Sequence, residues 1–252
     1  MNISRRSRPV SLATLAASRA GSAAAQGKPA PIGKIKLVIL DIGGTVIQDH
    51  GQVPAALMRA LSHRDVPATA AEIANWRGAS KREMVRHFVE RSGKPNSLVE
   101  PIYADFSAQT DKAYANAQPI AGAEAALRQM RDDGLLLATT TGFGRELTEM
   151  VMRKLNWKQY FVANVTSDDV VDGRPAPYML FHAMEAARVD NAADAVAVGD
   201  TPLDLQAANN GGMRGAIGVW SGAVTEKRLR QERFTQLLPS VADLPALLRA
   251  AY

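Results

Sequence analysis

Lys36-Leu37-Val38-Ile39-Leu40-Asp41-Ile42-Gly43-Gly44-Thr45 is an apolar run that ends abruptly in a carboxylate, two glycines and a threonine. A run this short and this apolar reads as a strand buried on both faces of a parallel sheet. It delivers Asp41 to the carboxyl end of that strand, where open α/β sheets place their ligands. Three later stretches repeat the arrangement of apolar strand and polar tip: Leu135 to Thr141, Tyr160 to Ser167, and Ala195 to Asp200 followed by Thr201-Pro202-Leu203-Asp204. One edge of one sheet is therefore expected to gather Asp41, Thr140, Asp200 and Asp204.

Between the first two strands, from Val53 to Gln118, the pattern is helical with no clear strand: Pro54 to His63, Thr69 to Trp76, Lys81 to Arg91 and Leu98 to Ala117. Beyond Pro119-Ile120-Ala121-Gly122, strands alternate with helices at Ala123 to Asp132, Arg145 to Leu155, Pro177 to Arg188 and Leu203 to Asn209. A final helix near Val241 to Ala250 has Ser240 as its N-cap. Alternation of this kind predicts right-handed crossovers and a doubly wound parallel sheet. The expected architecture is an α/β core formed by residues 34–52 and 119–252, with residues 53–118 inserted as a helical cap over the strand ends. Closure of that cap over the core is a further expectation.

A chain of 252 residues can bury a sizeable core. It has no cysteine, which removes disulfides, thiolate metal sites and a cysteine nucleophile. No apolar run is long enough to span a membrane. The net charge of +5 is concentrated at the start, because seven of the 30 basic residues precede the first acidic one, Asp41. The remainder carries 23 basic against 25 acidic residues, so a nucleic-acid face on the folded body is not expected. Residues 1–33 are rich in Ala, Ser and Arg. Ser4-Arg5-Arg6, the apolar Val10 to Ala17 and Ala23-Ala24-Ala25 before Gln26 read as an export signal, an organelle transit peptide or a plain tail. The cytoplasm is the expected compartment, with export or organelle entry through residues 1–26 as the alternative.

Asp41 followed by Gly43-Gly44-Thr45 sets a carboxylate beside free backbone N–H groups and a hydroxyl, a cradle for a phosphoryl group. Asp200 and Asp204 lie four apart at a strand-to-helix turn and can face the same point. Three carboxylates beside a phosphate call for a cation between them, and an all-oxygen set suits Mg²⁺.

Asp41-Ile42-Gly43-Gly44-Thr45, the strand ending in Thr140, Gly173-Arg174-Pro175-Ala176-Pro177 and Gly199-Asp200-x-x-x-Asp204 stand in the order and spacing of four family motifs. Through them, over residues 35 to 252, the chain resembles the haloacid dehalogenase superfamily, and more closely its phosphonatase branch. The resemblance implies Asp41 as a nucleophile that becomes an aspartyl-phosphate. It implies Mg²⁺ held by Asp41, the Gly43 carbonyl and Asp200, with Asp204 supporting. Thr140 and Arg174 would bind the phosphoryl oxygens, with Gly44, Thr45, Thr141 and Gly142 around the substrate.

Two details select the branch. Most phosphatases of the superfamily carry a second Asp where this chain has Gly43, and lacking it favours a leaving group that needs no proton from that position. Lys81, in Trp76-Arg77-Gly78-Ala79-Ser80-Lys81, matches a lysine that in phosphonatases forms a Schiff base with the substrate aldehyde. To act as an amine it must be desolvated or set near another cation, for which Arg77 and Arg82 are the candidates. Two positions depart from that branch: Met84 replaces a histidine that assists proton transfer, and Arg77 replaces a methionine and offers a second anion-binding group. His50, His63, His87 and His182 are candidates for the lost base.

The expected partner is a small phosphonate or phosphate ester, with no nucleic acid and no membrane; a homodimer is the assembly kept in view. Cleavage of the C–P bond of a 2-oxoalkylphosphonate is the leading expectation. A phosphomonoesterase, a 2-haloacid dehalogenase and a non-catalytic phosphoanion-binding protein are the alternatives. Asp200 and Asp204 oppose the dehalogenase reading, since they would repel an anionic substrate unless a cation intervened.

Overall fold

The computed structural model describes residues 35–222 and 224–250. The leader readings for residues 1–33 lie outside the described residues.

Six parallel strands form one sheet: β1 (Leu37–Leu40), β2 (Leu136–Thr141), β3 (Ala163–Thr166), β4 (Ala195–Gly199), β5 (Gly215–Val219) and β6 (Gln236–Leu238), in the order β3-β2-β1-β4-β5-β6. Leu37 to Leu40 pair with Leu136 to Thr139 on one side and Ala195 to Val198 on the other. Every residue of β1 is buried, as a central strand covered on both faces requires. Val38 and Leu40 point into one apolar layer, Leu37 and Ile39 into the other.

The helices of the core are α5 (Ala123–Asp132), α6 (Arg145–Lys154), α7 (Tyr178–Ala187), α8 (Pro202–Asn210), α9 (Glu226–Leu229) and α10 (Leu244–Ala250). α7 lies against β1, β2 and β3, and α8 against β4 and β5; α5 packs on β2 and α10 on α5. Two strands exceed the sequence expectation. β5 is Gly-Ala-Ile-Gly-Val, too poor in large β-formers to stand out, and β6 has only three half-buried residues. The third strand is shorter than expected, since Lys158 to Tyr160 form a 3₁₀ turn. Ser240 caps a 3₁₀ turn that leads into α10.

Between β1 and β2 lie α1 (Gln52–Ser62), α2 (Ala70–Ala74), α3 (Lys81–Arg91) and α4 (Val99–Tyr114). They pack on one another through Leu57, Leu61, Val85, Phe88, Ile102 and Phe106, all buried. The two connections to the core run side by side: the Gln48 amide donates to the Gln118 carbonyl (2.9 Å) and the Ile120 amide to the Val46 carbonyl (3.0 Å). α2 opens on a reciprocal cap between Thr69 and Glu72, and α3 on the Ser80 hydroxyl.

Candidate active site

Strand order reverses between β1 and β4, so a crevice opens beyond their carboxyl ends. Asp41 leaves β1 with its amide donating to the Val198 carbonyl (2.8 Å), and Asp200 follows β4 directly. Asp204 sits one turn into α8. Thr201 caps that helix and Pro202 fills its first turn, so the Asp204 Oδ2 accepts from the Thr201 amide (3.0 Å) and hydroxyl (2.5 Å). Asp41, Asp200 and Asp204 are all buried, each with a carboxylate oxygen within 4.8 Å of the others, a group that could hold a metal ion.

Arg174 binds this cluster together. Its Nη1 donates to Asp41 Oδ1 (2.9 Å) and pairs with Asp204 Oδ1 (2.8 Å). Its Nη2 donates to the Thr140 carbonyl (2.8 Å) and hydroxyl (2.9 Å). Asp204 thus spends one oxygen on its helix cap and the other on Arg174, which makes it the residue that positions the guanidinium. Burial pushes the Asp41 carboxyl up, to about 7; Arg174 opposes that rise and Asp204 adds to it. Three buried carboxylates against one guanidinium leave an excess of negative charge, and the donors are all oxygen. The residues therefore fit a hard divalent cation such as Mg²⁺.

Asp200 is held against two glycines. A β-carbon on Gly44, whose φ is +82°, or on Gly222 would overlap its carboxylate. Gly44 and the buried Thr45 stand behind the cluster; the Thr45 hydroxyl lies 3.5 Å from Asp41 Oδ2.

The helical insert covers part of the crevice and leaves a cavity of about 50 Å³, space for a few water-sized groups. Asp41, Gly43, Thr141, Gly142, Arg174 and Asp200 line it from the core, and Asp49, Arg77, Lys81 and Met84 from the insert and its entry. The two parts meet backbone to backbone. A β-carbon on Gly142 would lie 2.5 Å from the Ala79 carbonyl and 3.0 Å from Lys81 Nζ, and one on Gly78 would overlap the Thr201 hydroxyl.

Lys81, the first residue of α3, is buried in this cavity with Nζ donating to the Ala79 carbonyl (2.8 Å). Burial lowers its pKa to about 8; the Asp41 carboxylate resists the fall and Arg174 assists it. The cation felt most strongly at Lys81 is therefore Arg174, ahead of Arg77 and Arg82. Arg82 is turned outward, paired with Glu100 and stacked on Tyr103 (4.1 Å). Arg77 does line the cavity, with Nη1 3.9 Å from Asp49 Oδ2.

The two threonines divide. Thr141 is on the cavity wall, its hydroxyl accepting from the Phe143 amide (3.1 Å), whereas Thr140 faces Arg174 and is not on the wall. Alternation along β2 sends neighbouring side chains to opposite faces. None of the four histidines lines the cavity. His87 stacks on Trp76 (4.6 Å), His63 pairs with Asp105, His50 contacts Gln48, and His182 lies at a separate surface hollow.

Sequence reasoning missed three residues here: Asp49, Phe143 and Gly222. Asp49 stands in an ordinary turn sequence before α1, and nothing local marks the other two.

A family model for haloacid dehalogenase-like hydrolases matches residues 35–212. The phosphonoacetaldehyde hydrolase of Lysinibacillus sphaericus is 31% identical over 223 residues, covering 86% of this chain and 78% of its own. Among solved structures, a hydrolase from Pseudomonas syringae superposes with a TM-score of 0.77 at 21% identity, covering 85% of this chain and 98% of that one. A phosphonoacetaldehyde hydrolase-like protein from Oleispira antarctica gives 0.75 at 21% identity, covering 90% and 96%. At that identity the two structures speak to the fold alone.

Proposed function

The chain belongs to the haloacid dehalogenase-like hydrolases, and from that premise we propose that it cleaves the C–P bond of a 2-oxoalkylphosphonate, using Asp41 as nucleophile and Lys81 as an imine-forming amine. The observation that carries this reading is the burial of Lys81 in the same cavity as Asp41, with Gly43 where an acid would otherwise stand.

Each residue has a task. The Lys81 amine adds to the substrate carbonyl, and water leaves as the iminium forms. That iminium draws the electron pair of the breaking C–P bond into an enamine, so no proton has to be given to the leaving group from position 43. Asp41 takes the phosphoryl group and hydrolysis of the aspartyl-phosphate frees it, while protonation of the enamine carbon and addition of water to the resulting iminium release the aldehyde and restore the Lys81 amine. Arg174 fixes the attacking carboxylate and, through its guanidinium, the phosphonate oxygens, with Thr141 also on the cavity wall. Mg²⁺ would be held by Asp41, Asp200 and the Gly43 carbonyl, where it would offset the carboxylate charge as the anionic substrate enters. The insert acts as a cap that excludes water from this chemistry.

The test is phosphate release from phosphonoacetaldehyde with Mg²⁺, beside a panel of phosphomonoesters, in wild type and Lys81→Arg. Turnover of the phosphonate, lost in Lys81→Arg, is expected. Turnover of esters alone, equal in both proteins, would replace this reading with a phosphomonoesterase.

A further inference from the structure

We propose that Asp49 is the proton carrier of the cavity, taking one proton from the Lys81 ammonium and returning it to the carbonyl oxygen that departs as water. The proposal rests on the imine-forming role of Lys81.

Imine formation needs a group that both accepts and gives a proton beside the reacting nitrogen and oxygen. The expected sources of such a group are silent: Gly43 has no side chain, Met84 is a thioether on the wall, and the histidines stand elsewhere. Asp41, Asp200 and Asp204 belong to the guanidinium-bound cluster. Asp49 is the remaining carboxylate on the cavity wall among the described residues.

Its geometry suits the task. Oδ1 accepts from the Gly51 amide (2.8 Å), which fixes the side chain at the entry to α1. Oδ2 lies 3.9 Å from Arg77 Nη1, beyond hydrogen-bond distance, so it is held near a cation without being locked to it. The side chain is only 13% exposed, and its charge is felt at Lys81.

The step balances. Asp49 removes a proton from the Lys81 ammonium, leaving a free amine and a carboxylic acid. The amine nitrogen bonds to the carbonyl carbon, and a proton passes from nitrogen to oxygen to give a neutral carbinolamine. Asp49 then protonates the hydroxyl. The C–O bond breaks with its pair on oxygen, water departs, the nitrogen lone pair closes the C=N⁺ bond, and Asp49 is again a carboxylate.

Were Asp49 only a turn residue, an amide would serve as well, because Asn also offers an oxygen to the Gly51 amide. Wild type, Asp49→Asn, Asp49→Ser and Asp49→Glu are mixed with phosphonoacetaldehyde, quenched with borohydride over a time course, and the reduced Lys81 adduct is followed by mass spectrometry. Adduct formation is expected to slow about 100-fold in Asp49→Asn and Asp49→Ser and to recover in large part in Asp49→Glu. Inhibition by inorganic phosphate should stay at the wild-type level in all of them. Equal adduct rates in wild type and Asp49→Asn would overturn the role of Asp49 alone. Phosphate release without any adduct in the wild type would overturn the imine and this role together.

Discussion

A β-carbon on Gly43 would lie 3.1 Å from Cζ of Phe143. The ring of Phe143 therefore covers the ground that an aspartate side chain at position 43 would need, and the missing acid is matched by a filled space. Tyr114 packs against the same ring at 5.1 Å between centroids.

Gly43→Asp alone should overpack this spot and cost about 1–3 kcal/mol of stability. Combined with Phe143→Ala, much of that cost should disappear, so that the two substitutions are far from additive. Urea unfolding of the two single variants and the double variant measures the coupling. Purely additive losses would show that the ring and the glycine are unrelated.

Removing the guanidinium should be severe. Arg174→Ala leaves Asp41 and Asp204 buried without their cation and is expected to cost about 3–5 kcal/mol. Arg174→Lys keeps the charge but lacks the fork that reaches Asp41, Asp204 and Thr140 together, so it should fall between Ala and wild type. Chemical denaturation ranks the three.

Asp200 should report on the glycines around it. Gly222→Ala places a methyl group into its carboxylate and should weaken Mg²⁺ binding by about 10- to 100-fold while the sheet stays intact. Titration calorimetry with Mg²⁺ and a far-ultraviolet dichroism spectrum separate the two effects.

The Lys81 amine should appear as pH passes through about 8. The fraction of free amine then rises from about a tenth at pH 7 to about nine-tenths at pH 9, where an exposed lysine would still be almost wholly charged. Borohydride trapping of the imine is expected to climb over that interval. Stability follows with the same sign: between about 8 and the ordinary lysine value the unfolded chain holds the extra proton, so stability rises with pH across that window. The comparison is the urea midpoint at pH 7.5 and 9.5 in wild type and Lys81→Met.

The parts of the fold that announce themselves in the sequence are those with strong local chemistry. β1 and β4 read as buried runs with acidic tips, and the Thr201-Pro202-Leu203-Asp204 cap marks its helix. β5 was not legible because its residues are small for a packing reason. A β-carbon on Gly218 would lie 2.5 Å from a Leu237 methyl, so the strand needs glycine where a β-former would be the signal. Lys81 and Arg174 could be singled out from their motifs, but which cation acts on Lys81 could not. Arg77 and Arg82 are near in sequence, while Arg174 reaches the amine only through the docking of α3 on the core. Thr140 and Thr141 are adjacent and alike, and only the face each takes along β2 decides which meets the cavity. Phe143 and Gly43 are a hundred positions apart, and neither is unusual until they touch.

The seam at Gly142 and Gly78 divides the site by origin. The carboxylates and the guanidinium of the cluster all come from the sheet end, while Lys81, Arg77 and Met84 arrive on an excursion of the chain that leaves and returns through one pair of adjacent strands of backbone. On the proposed reaction, exchange of the excursion for another of the same footprint would alter which carbon fragment is accepted and leave Asp41, Asp200 and Arg174 in place, a fixed tool with an interchangeable jaw.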